Sequence, residues 1–332
     1  MAMGIVSYFK IFKTAAVDSS NDKVFKMSAA LAYYTVFSLA PILMIVIYLA
    51  DIFFGKDAVQ GSVYGQIKGF VGSDAALQIQ DIIKNATISP SFGWASIIGV
   101  ASLIFAATGV FTEIQDSINT IWRLKSKPST GFGKYLLNRL LSFSMILSMG
   151  FLLLVSLVIN TVIDAFSTYL TNHLPGAAFY IIYIVNIILT LSITTLLFSL
   201  IFRMLPDAKI SWKDVAVGSV TTAVLFMLGK FGISFYLGHA KIANTYGTAG
   251  SIIIILTWVY YSSIILYFGA EFTRAYAKST GKLIYPNQYS VWFDQVEVHN
   301  EGALADQDNK EKKIIVDAEE KEKLAQKETV QH

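Results

Sequence analysis

Residues 251–272 read SIIIILTWVYYSSIILYFGAEF, an apolar run with one charged side chain, Glu271, close to its end. A run of about 20 apolar residues is long enough to cross a hydrocarbon core of roughly 30 Å as a helix. A helix is expected because a segment in lipid has to satisfy its own backbone hydrogen bonds. The fold class is therefore decided by how many such runs the chain contains.

Five further runs of similar length and composition precede this one. They are Ser28–Leu49, Trp94–Phe111, Leu140–Ile163, Phe179–Phe202 and Val215–Leu237. The whole chain is 54% hydrophobic and 15% charged, whereas a soluble domain has about 25% charged residues. We predict an all-α polytopic membrane protein with six transmembrane helices and a membrane domain over residues 28–274.

The distribution of Lys and Arg predicts the orientation. The segments on one side of the predicted spans carry 15 of these residues, and those on the opposite side carry 4. Positively charged flanks stay in the cytoplasm. We therefore expect both termini to be cytoplasmic in a multi-pass protein of the cell membrane, which is the inner membrane if the cell is Gram-negative.

Three segments lie outside the predicted spans. Residues 1–27 place Ile5, Tyr8, Phe9, Phe12 and Ala16 at helical spacing, which is typical of an amphipathic helix in the cytoplasmic interface or of a short packing helix. The outer loop 51–93 predicts two more short amphipathic helices. Residues 275–332 predict an acidic, disordered tail, because the chain from residue 284 carries 6 Lys against 11 Asp and Glu.

Lys230 is the ionisable residue that lies deepest in a predicted span, flanked by Gly229 and Gly232. Inserting such a side chain into hydrocarbon costs roughly 2.5–3.5 kcal/mol, so it is a candidate for a functional role. Its long stem also allows the ammonium group to reach the membrane surface, which is the structural alternative.

The first span contains AYYTVFSLAP over residues 32–41, with Tyr33, Ser38 and Pro41 as candidate residues. Proline leaves the carbonyl group of Phe37 without its helical donor. This pattern suits either a broken helix that lines a cavity or an ordinary packing kink.

An acidic and amide stripe follows the second span. Its members share one helical face by their spacing and are Glu113, Asp116, Asn119 and Thr120. Glu271 is expected at a similar depth. Together with Arg203 or Arg274 these residues would form an ion-pair ring, and the alternative is a vestibule that handles protons or cations.

The loop between the fifth and sixth spans reads GHAKIANTYGTAGS over residues 238–251. It carries Asn244 and Tyr246 among several glycines. This loop is either the mouth of a substrate pathway or a re-entrant turn without a ligand.

Six segments together resemble the YihY/BrkB family of bacterial membrane proteins, formerly labelled ribonuclease BN. They are residues 29–41, 111–122, 203–218, 228–237, 244–262 and 266–272. The resemblance implies a six-helix membrane architecture. It also implies a place in the cell envelope, since the family includes a factor linked to serum resistance. The acidic tail departs from the family pattern.

The sequence argues against the old nuclease label. Metal-dependent nucleases need clustered His and carboxylate ligands, whereas the four histidines, His173, His239, His299 and His332, are scattered. Cysteine is absent, and no nucleotide-binding or nucleophile motif occurs. We expect no enzymatic activity, no cofactor, no metal and no nucleic-acid partner.

Two functions remain. The first is a transporter-like protein for a small solute, ion or lipid, driven by a gradient or by a partner, in which Lys230 meets an anionic group and Glu113 and Asp116 shape an inner vestibule. The second is a non-transporting envelope-integrity or serum-resistance factor. Both have the lipid bilayer as a partner, and both leave an oligomer open.

Overall fold

A computed structural model of the chain describes residues 5–54, 94–127, 175–239 and 250–293, with isolated positions 133, 140, 144 and 148. The described residues form six helices: α1 (Ile5–Asn21), α2 (Val24–Phe54), α3 (Trp94–Ile121), α4 (Pro175–Met204), α5 (Trp212–His239) and α6 (Gly250–Ser279). They also form four short strands: β1 (Leu124–Ser126), β2 (Ala208–Lys209), β3 (Tyr285–Pro286) and β4 (Ser290–Trp292). The mostly helical fold is confirmed.

Three helices in the described part of the chain are long and apolar enough to cross a membrane. The stretches are Ile181–Met204 in α4, Trp212–Ile233 in α5 and Ile252–Ser279 in α6. A shorter apolar stretch, Val24–Leu39, lies in α2. The predicted span Leu140–Ile163, apart from isolated positions, and the predicted helices of the outer loop lie outside the described residues.

The central helix of the described bundle is α6, which packs against α1, α2 and α5 and also contacts α3. Helix α4 joins the bundle through α5. Aromatic contacts continue from α4 to α6, because Phe226 of α5 lies 5.8 Å from Phe198 and 5.9 Å from Trp258 between ring centroids. The apolar core buried by this packing includes Leu31, Ile118, Phe202, Val215 and Tyr267.

Helices α5 and α6 approach each other through two matching Gly-x-x-x-Thr motifs. A Cβ atom added at Gly218 would lie 2.9 Å from Cβ of Thr273, and one added at Gly269 would lie 2.9 Å from Cβ of Thr222. Each threonine hydroxyl donates to the glycine carbonyl four residues earlier in its own helix, at 2.7 Å. Small residues of this kind let membrane helices pack closely, and the back-bonded hydroxyls leave no unmet donor in the contact.

The strands lie at one end of the bundle, which we call the strand end. There β1 pairs antiparallel with β4, and β2 pairs antiparallel with β3. The segments after α3, after α4 and after α6 therefore meet at the same end, together with the turn between α1 and α2, where Asp22 contacts Arg123. The charge distribution predicts these same four segments to share one side of the membrane.

Asp207, in the loop between α4 and α5, organises the strand end. Its carboxylate accepts hydrogen bonds from the side-chain amides of Asn119 and Asn287, both at 3.3 Å, and its backbone N–H donates to Asn119 Oδ1 at 2.8 Å. Its carbonyl oxygen accepts from the hydroxyl of Ser290 at 2.6 Å. One buried residue thus connects the end of α3 to the segment that follows α6.

The first residues of the predicted tail form helix and paired strands, although disorder was predicted for them. Helix α6 continues to Ser279, and residues 285–292 pair with the loops after α3 and α4. Ile284 is buried, and Trp292 donates its indole N–H to the carbonyl of Ile284 at 2.9 Å. Apolar side chains anchor this stretch, whereas the charge of the tail lies mostly in residues 294–332, outside the described residues.

Helix α1 packs on the bundle with one face and leaves a second face exposed. Ile11 and Ala15 are buried against Phe272 and Ala275 of α6, so one face packs on the bundle. A second face stays exposed through Phe9, which is 71% exposed. Exposed aromatic side chains beside lysines are typical of a helix in the membrane interface.

Replacing Gly218 with Ala should destabilise the protein, because the added methyl group overlaps Thr273. Overpacking of this kind typically costs about 1–3 kcal/mol, and the free energy of unfolding in detergent measures it. Gly232→Ala is the matched control on the same helix, since nothing lies within 4 Å of its added Cβ atom. Equal effects of the two variants would contradict the close α5–α6 contact.

Replacing Asp207 with Ala should loosen the segment after α6, because the amides of Asn119 and Asn287 lose their charged acceptor. Hydrogen bonds to charged groups contribute about 1.5–3 kcal/mol each. Hydrogen exchange of a peptide covering residues 284–293 should accelerate. Lys209→Ala, which changes an exposed side chain of β2, is the control and should not alter the exchange of this peptide. If the Asp207 variant also exchanges at the wild-type rate, the role of Asp207 is refuted.

Candidate functional site

The candidate site begins with an ion-pair network at the strand end. Asp22 accepts a hydrogen bond from Arg123 Nη2 at 2.7 Å and lies 3.3 Å from Arg274 Nη1. Arg274 also contacts Asp18 at 3.4 Å. The side chain of Asp22 is only 3% exposed, so both guanidinium groups compensate the cost of burying it. The network joins α1, the end of α3 and α6.

Two residues with an uncommon backbone conformation help to bring Asp22 and Arg123 together. Lys23, directly after Asp22, and Arg123 adopt positive φ values of 58° and 59°. This left-handed conformation costs a non-glycine residue about 1–2 kcal/mol and commonly ends a helix. It turns the chain sharply after α1 and after α3, and it brings Asp22 and Arg123 together.

Glu271 is the most buried acid of the network. Its side chain is fully buried, and its Oε2 lies 3.5 Å from Arg274 Nη1. Among the described residues, no donor makes a hydrogen bond to either of its carboxyl oxygens. The carboxyl groups of Asp18 and Asp22 face it as well. Glu271 thus has one distant guanidinium partner and two acidic neighbours.

These contacts show which of the two predicted arginines, Arg203 or Arg274, pairs with Glu271. Arg274 is the partner in the described structure. The guanidinium group of Arg203 donates to the carbonyl of Ile210 and lies 5.4 Å from the ring centroid of Trp212. Arg203 therefore holds the loop between α4 and α5 rather than the ion-pair network.

The residues of the predicted stripe on α3 have different neighbours in the structure. Glu113 is partly buried and accepts a hydrogen bond from Ser117 at 3.5 Å. Asp116 is exposed. Glu113, Asp116 and Ser117 lie near the hydroxyl group of Tyr267 on α6, and Tyr267 is fully buried. Asn119 instead binds Asp207. The stripe residues therefore have different surroundings: Glu113 lies partly buried near Tyr267 of α6, whereas Asn119 contacts the loop after α4.

The candidate residues of α2 also lie on different faces. Ser38 is buried near Gly109 of α3, whose added Cβ atom would lie 3.8 Å from the serine hydroxyl. Tyr33 is 60% exposed and packs its ring against Phe37 at 4.8 Å. Helix α2 continues through Pro41 without interruption. Ser38 thus faces another helix in the described structure, whereas Tyr33 does not bury its ring against one.

Lys230 lies far from the ion-pair network. It is partly buried on α5, next to Gly229, where an added Cβ atom would overlap the hydroxyl of Tyr261 on α6. Lys230 follows Gly218 by 12 residues, so it lies about 18 Å further along the helix axis than the Gly218–Thr273 contact. Asn244 and Tyr246 lie outside the described residues.

Sequence reasoning missed Asp22, Arg123, Tyr267 and the role of Asp207. One signal was available. Besides Glu113 and Asp116, the basic segments that flank the predicted spans contain four acids before residue 284: Asp18, Asp22, Asp207 and Asp214. The structure places all four in polar contacts, including an ion pair between Asp214 and Lys282 at 3.6 Å. In the described part of the chain, no three His, Cys, Asp or Glu side chains are grouped to hold a metal ion.

Comparison with known proteins places the chain among bacterial membrane proteins. A UPF0761 membrane protein of Pseudoalteromonas atlantica is 28% identical over 256 residues, which cover 76% of this chain and 81% of that protein. One from Stenotrophomonas maltophilia is 27% identical and one from Pseudomonas aeruginosa is 29% identical, and the matched region covers 58% of each of these longer relatives. No solved structure matches the chain.

A protein-family profile described as "Virulence factor BrkB" matches residues 15–288. The match covers every described helix from the second half of α1 to the end of α6, as well as β1, β2 and β3. It includes the ion-pair network, Asp207 and Lys230. The chain belongs to the BrkB virulence factor family of membrane proteins.

Proposed function

We propose that this membrane protein is transporter-like and moves a small solute, ion or lipid, driven by a gradient or by a partner. The observation that carries the proposal is the pair of buried polar groups on the central helix. Tyr267 and Glu271 are one helical turn apart on α6, both side chains are fully buried, and neither carboxyl oxygen of Glu271 accepts a hydrogen bond within the described structure. A carboxyl group buried in this way in a membrane protein marks an ion or substrate pathway by default.

The polar surface between α3 and α6 supports a pathway. Glu113 and Asp116 of α3 face Tyr267, and Glu271 continues the polar row toward Asp22. Glu271 is costly in a bundle that serves only as a scaffold, because unmet polar atoms in an apolar interior cost several kcal/mol. A pathway for an ion or a polar solute gives such a group a role.

The ion-pair network acts as the closed gate of this pathway in the proposal. Arg123 and Arg274 both contact Asp22 at the strand end, and they link the ends of α3 and α6 to α1. Because these contacts are ion pairs between separate elements, they are able to break as a unit when the helices move apart. Alternating access of this kind is usual for secondary transporters.

Lys230 supplies the second charge of the proposal. It is partly buried on α5, about 18 Å along the helix axis from the level of the network. In this position it would meet an anionic group of the transported solute or lipid before that group reaches Glu113 and Asp116.

The proposed topology has six spans with both termini in the cytoplasm. Its support is the meeting of the four basic segments at the strand end, together with the rule that basic flanks remain cytoplasmic. In this topology the strand end and the ion-pair network face the cytoplasm.

An envelope-integrity factor without transport is the second candidate. The description of the family profile as a virulence factor favours it, and the exposed aromatic face of α1 suits binding to lipid. This candidate requires Lys230 and Glu113 only for stability.

Lys230→Met should reduce solute flux in an unbiased screen with proteoliposomes. The loss of one charge–solute contact, about 1.4 kcal/mol or more, corresponds to roughly tenfold lower flux. Lys26→Met, which changes an exposed lysine at the start of α2, should leave flux unchanged. Normal abundance of Lys230→Met with unchanged flux would count against a charged pathway and favour the envelope factor.

The natural absence of cysteine allows a direct test of topology. A single cysteine at Lys209 should react with a membrane-impermeant maleimide only in lysed cells or inverted vesicles. A single cysteine at Asn172, in the outer segment between the predicted third and fourth spans, should react in intact cells. The reverse pattern would overturn the proposed orientation.

A further inference from the structure

We propose that Glu271 binds a proton, which it exchanges with Asp22, and that this proton is the coupling ion of the transport. The coupling rests on the proposed function, whereas the proton site stands on the geometry of the strand end alone. Nothing in the family description or the names of the relatives assigns such a site.

The burial of Glu271 is the first observation. Its side chain is 0% exposed, and neither carboxyl oxygen accepts a hydrogen bond among the described residues. An ionised carboxylate needs several donors when it is removed from water. A protonated carboxyl group has no net charge to compensate and is able to donate its own hydrogen bond. The surroundings therefore suit the protonated form.

The charge balance of the network is the second observation. Three carboxyl groups, those of Asp18, Asp22 and Glu271, face two guanidinium groups, those of Arg123 and Arg274. Full ionisation would leave the network with one excess negative charge. One bound proton makes the network neutral, and carboxyl groups that share a site usually hold a proton in this way.

The distances show which carboxyl group takes the proton. Asp22 lies 2.7 Å from Arg123 and 3.3 Å from Arg274, so its charge is compensated. Asp18 lies 3.4 Å from Arg274 and is 29% exposed, so water reaches it. Glu271 has a single guanidinium contact, at 3.5 Å, which it shares with both aspartates. It is the acid least able to remain ionised.

The charged groups of the neighbouring elements agree with this assignment. On α5, Asp214 is paired with Lys282 at 3.6 Å. At the start of α2, Lys23 and Lys26 are exposed. On α3, Glu113 and Asp116 face Tyr267, one turn from Glu271, and they add negative rather than positive charge. None of these groups supplies a further cation to Glu271 in the described structure.

A proton fits this site better than a metal cation does. A metal ion needs several oxygen ligands arranged around it, whereas the space between Asp22 and Glu271 is already approached by Arg274 Nη1, at 3.3 Å and 3.5 Å from their oxygens. The two guanidinium groups also repel a metal ion. A proton needs one oxygen on each side.

The exchange is a simple transfer between two oxygens. The O–H bond of Glu271 breaks, and its proton forms a new O–H bond on Asp22, whose ion pairs with Arg123 and Arg274 weaken as its charge is lost. Arg274 then compensates the ionised Glu271. Partly exposed Asp18 offers the next acceptor toward water at the strand end. Loading and unloading of the proton thus changes the ion pairs that close the network.

Infrared spectroscopy of the reconstituted full-length protein tests the proton site without any substrate. With ¹³C-labelled glutamate, the wild type at neutral pH should show the C=O band of a protonated glutamate, and this band should disappear as the pH is raised. Glu271→Gln should lose the band, and the matched control Glu113→Gln should keep it. Absence of the band from the wild type at neutral pH overturns the site even if a variant fails to insert, and persistence of the band in Glu271→Gln does so as well.

The coupling is tested by measuring flux of any solute found in the screen with and without an imposed pH gradient. Wild-type flux should rise with the gradient, and flux of Glu271→Gln should lose this response. Wild-type flux that ignores the gradient overturns the coupling. A labelled band without flux for any solute supports the proton site and counts against the proposed function, so the two failures are distinguishable.

Discussion

The two ion pairs of Asp22 hold the strand end of the molecule together. This buried carboxylate receives Arg123 from the end of α3 and Arg274 from α6, while Asp22 itself follows α1. Removing one partner of a buried ion pair typically costs about 3–5 kcal/mol, because the other charge is left uncompensated. The position of α1 on α6, the end of α3 and the loops carrying the strands all depend on this arrangement.

Close packing along α6 complements the ion pairs. The Gly218–Thr273 and Gly269–Thr222 contacts bring α5 against α6, and the indole of Trp122 donates to the carbonyl of Ala270 at 3.0 Å. Lipid provides no hydrophobic force between helices, so tight contacts and hydrogen bonds have to supply the association. The central helix therefore carries both the small residues of the packing and the buried acid of the candidate site.

Hydropathy predicted the mostly helical fold and the three described helices that are long and apolar enough to cross a membrane, because each span has to satisfy its own backbone and to match the thickness of the bilayer. The sequence offered Arg203 or Arg274 as a partner of Glu271, and the structure shows Arg274 in that place. The sequence could not predict that Asn119 binds Asp207, because that contact joins residues 88 positions apart through loop packing. Charge alone also predicted disorder from residue 275, whereas buried Ile284 and the strand pairs anchor the first part of that tail.

The four acids in otherwise basic segments carry a general lesson. Positively charged flanking segments set the orientation of the spans. An acidic residue in such a segment lowers its positive charge, so a structural contact is the expected explanation for its presence. Here Asp18, Asp22, Asp207 and Asp214 each bind groups from another element at the strand end. These acids in basic segments therefore indicate the polar contacts of the strand end more directly than Lys230, which was chosen for its depth in a predicted span.

Two buried acids of one network differ in role: Asp22 holds the helices together through its ion pairs, whereas Glu271 is proposed to carry a proton. Comparing the free energies of unfolding of Asp22→Asn and Glu271→Gln in detergent at neutral pH tests this difference directly. The account predicts a loss of about 3–5 kcal/mol for Asp22→Asn and a much smaller change for Glu271→Gln, which keeps the shape and the neutrality of the protonated carboxyl group. A Glu271→Gln variant that is destabilised as strongly as Asp22→Asn would contradict it.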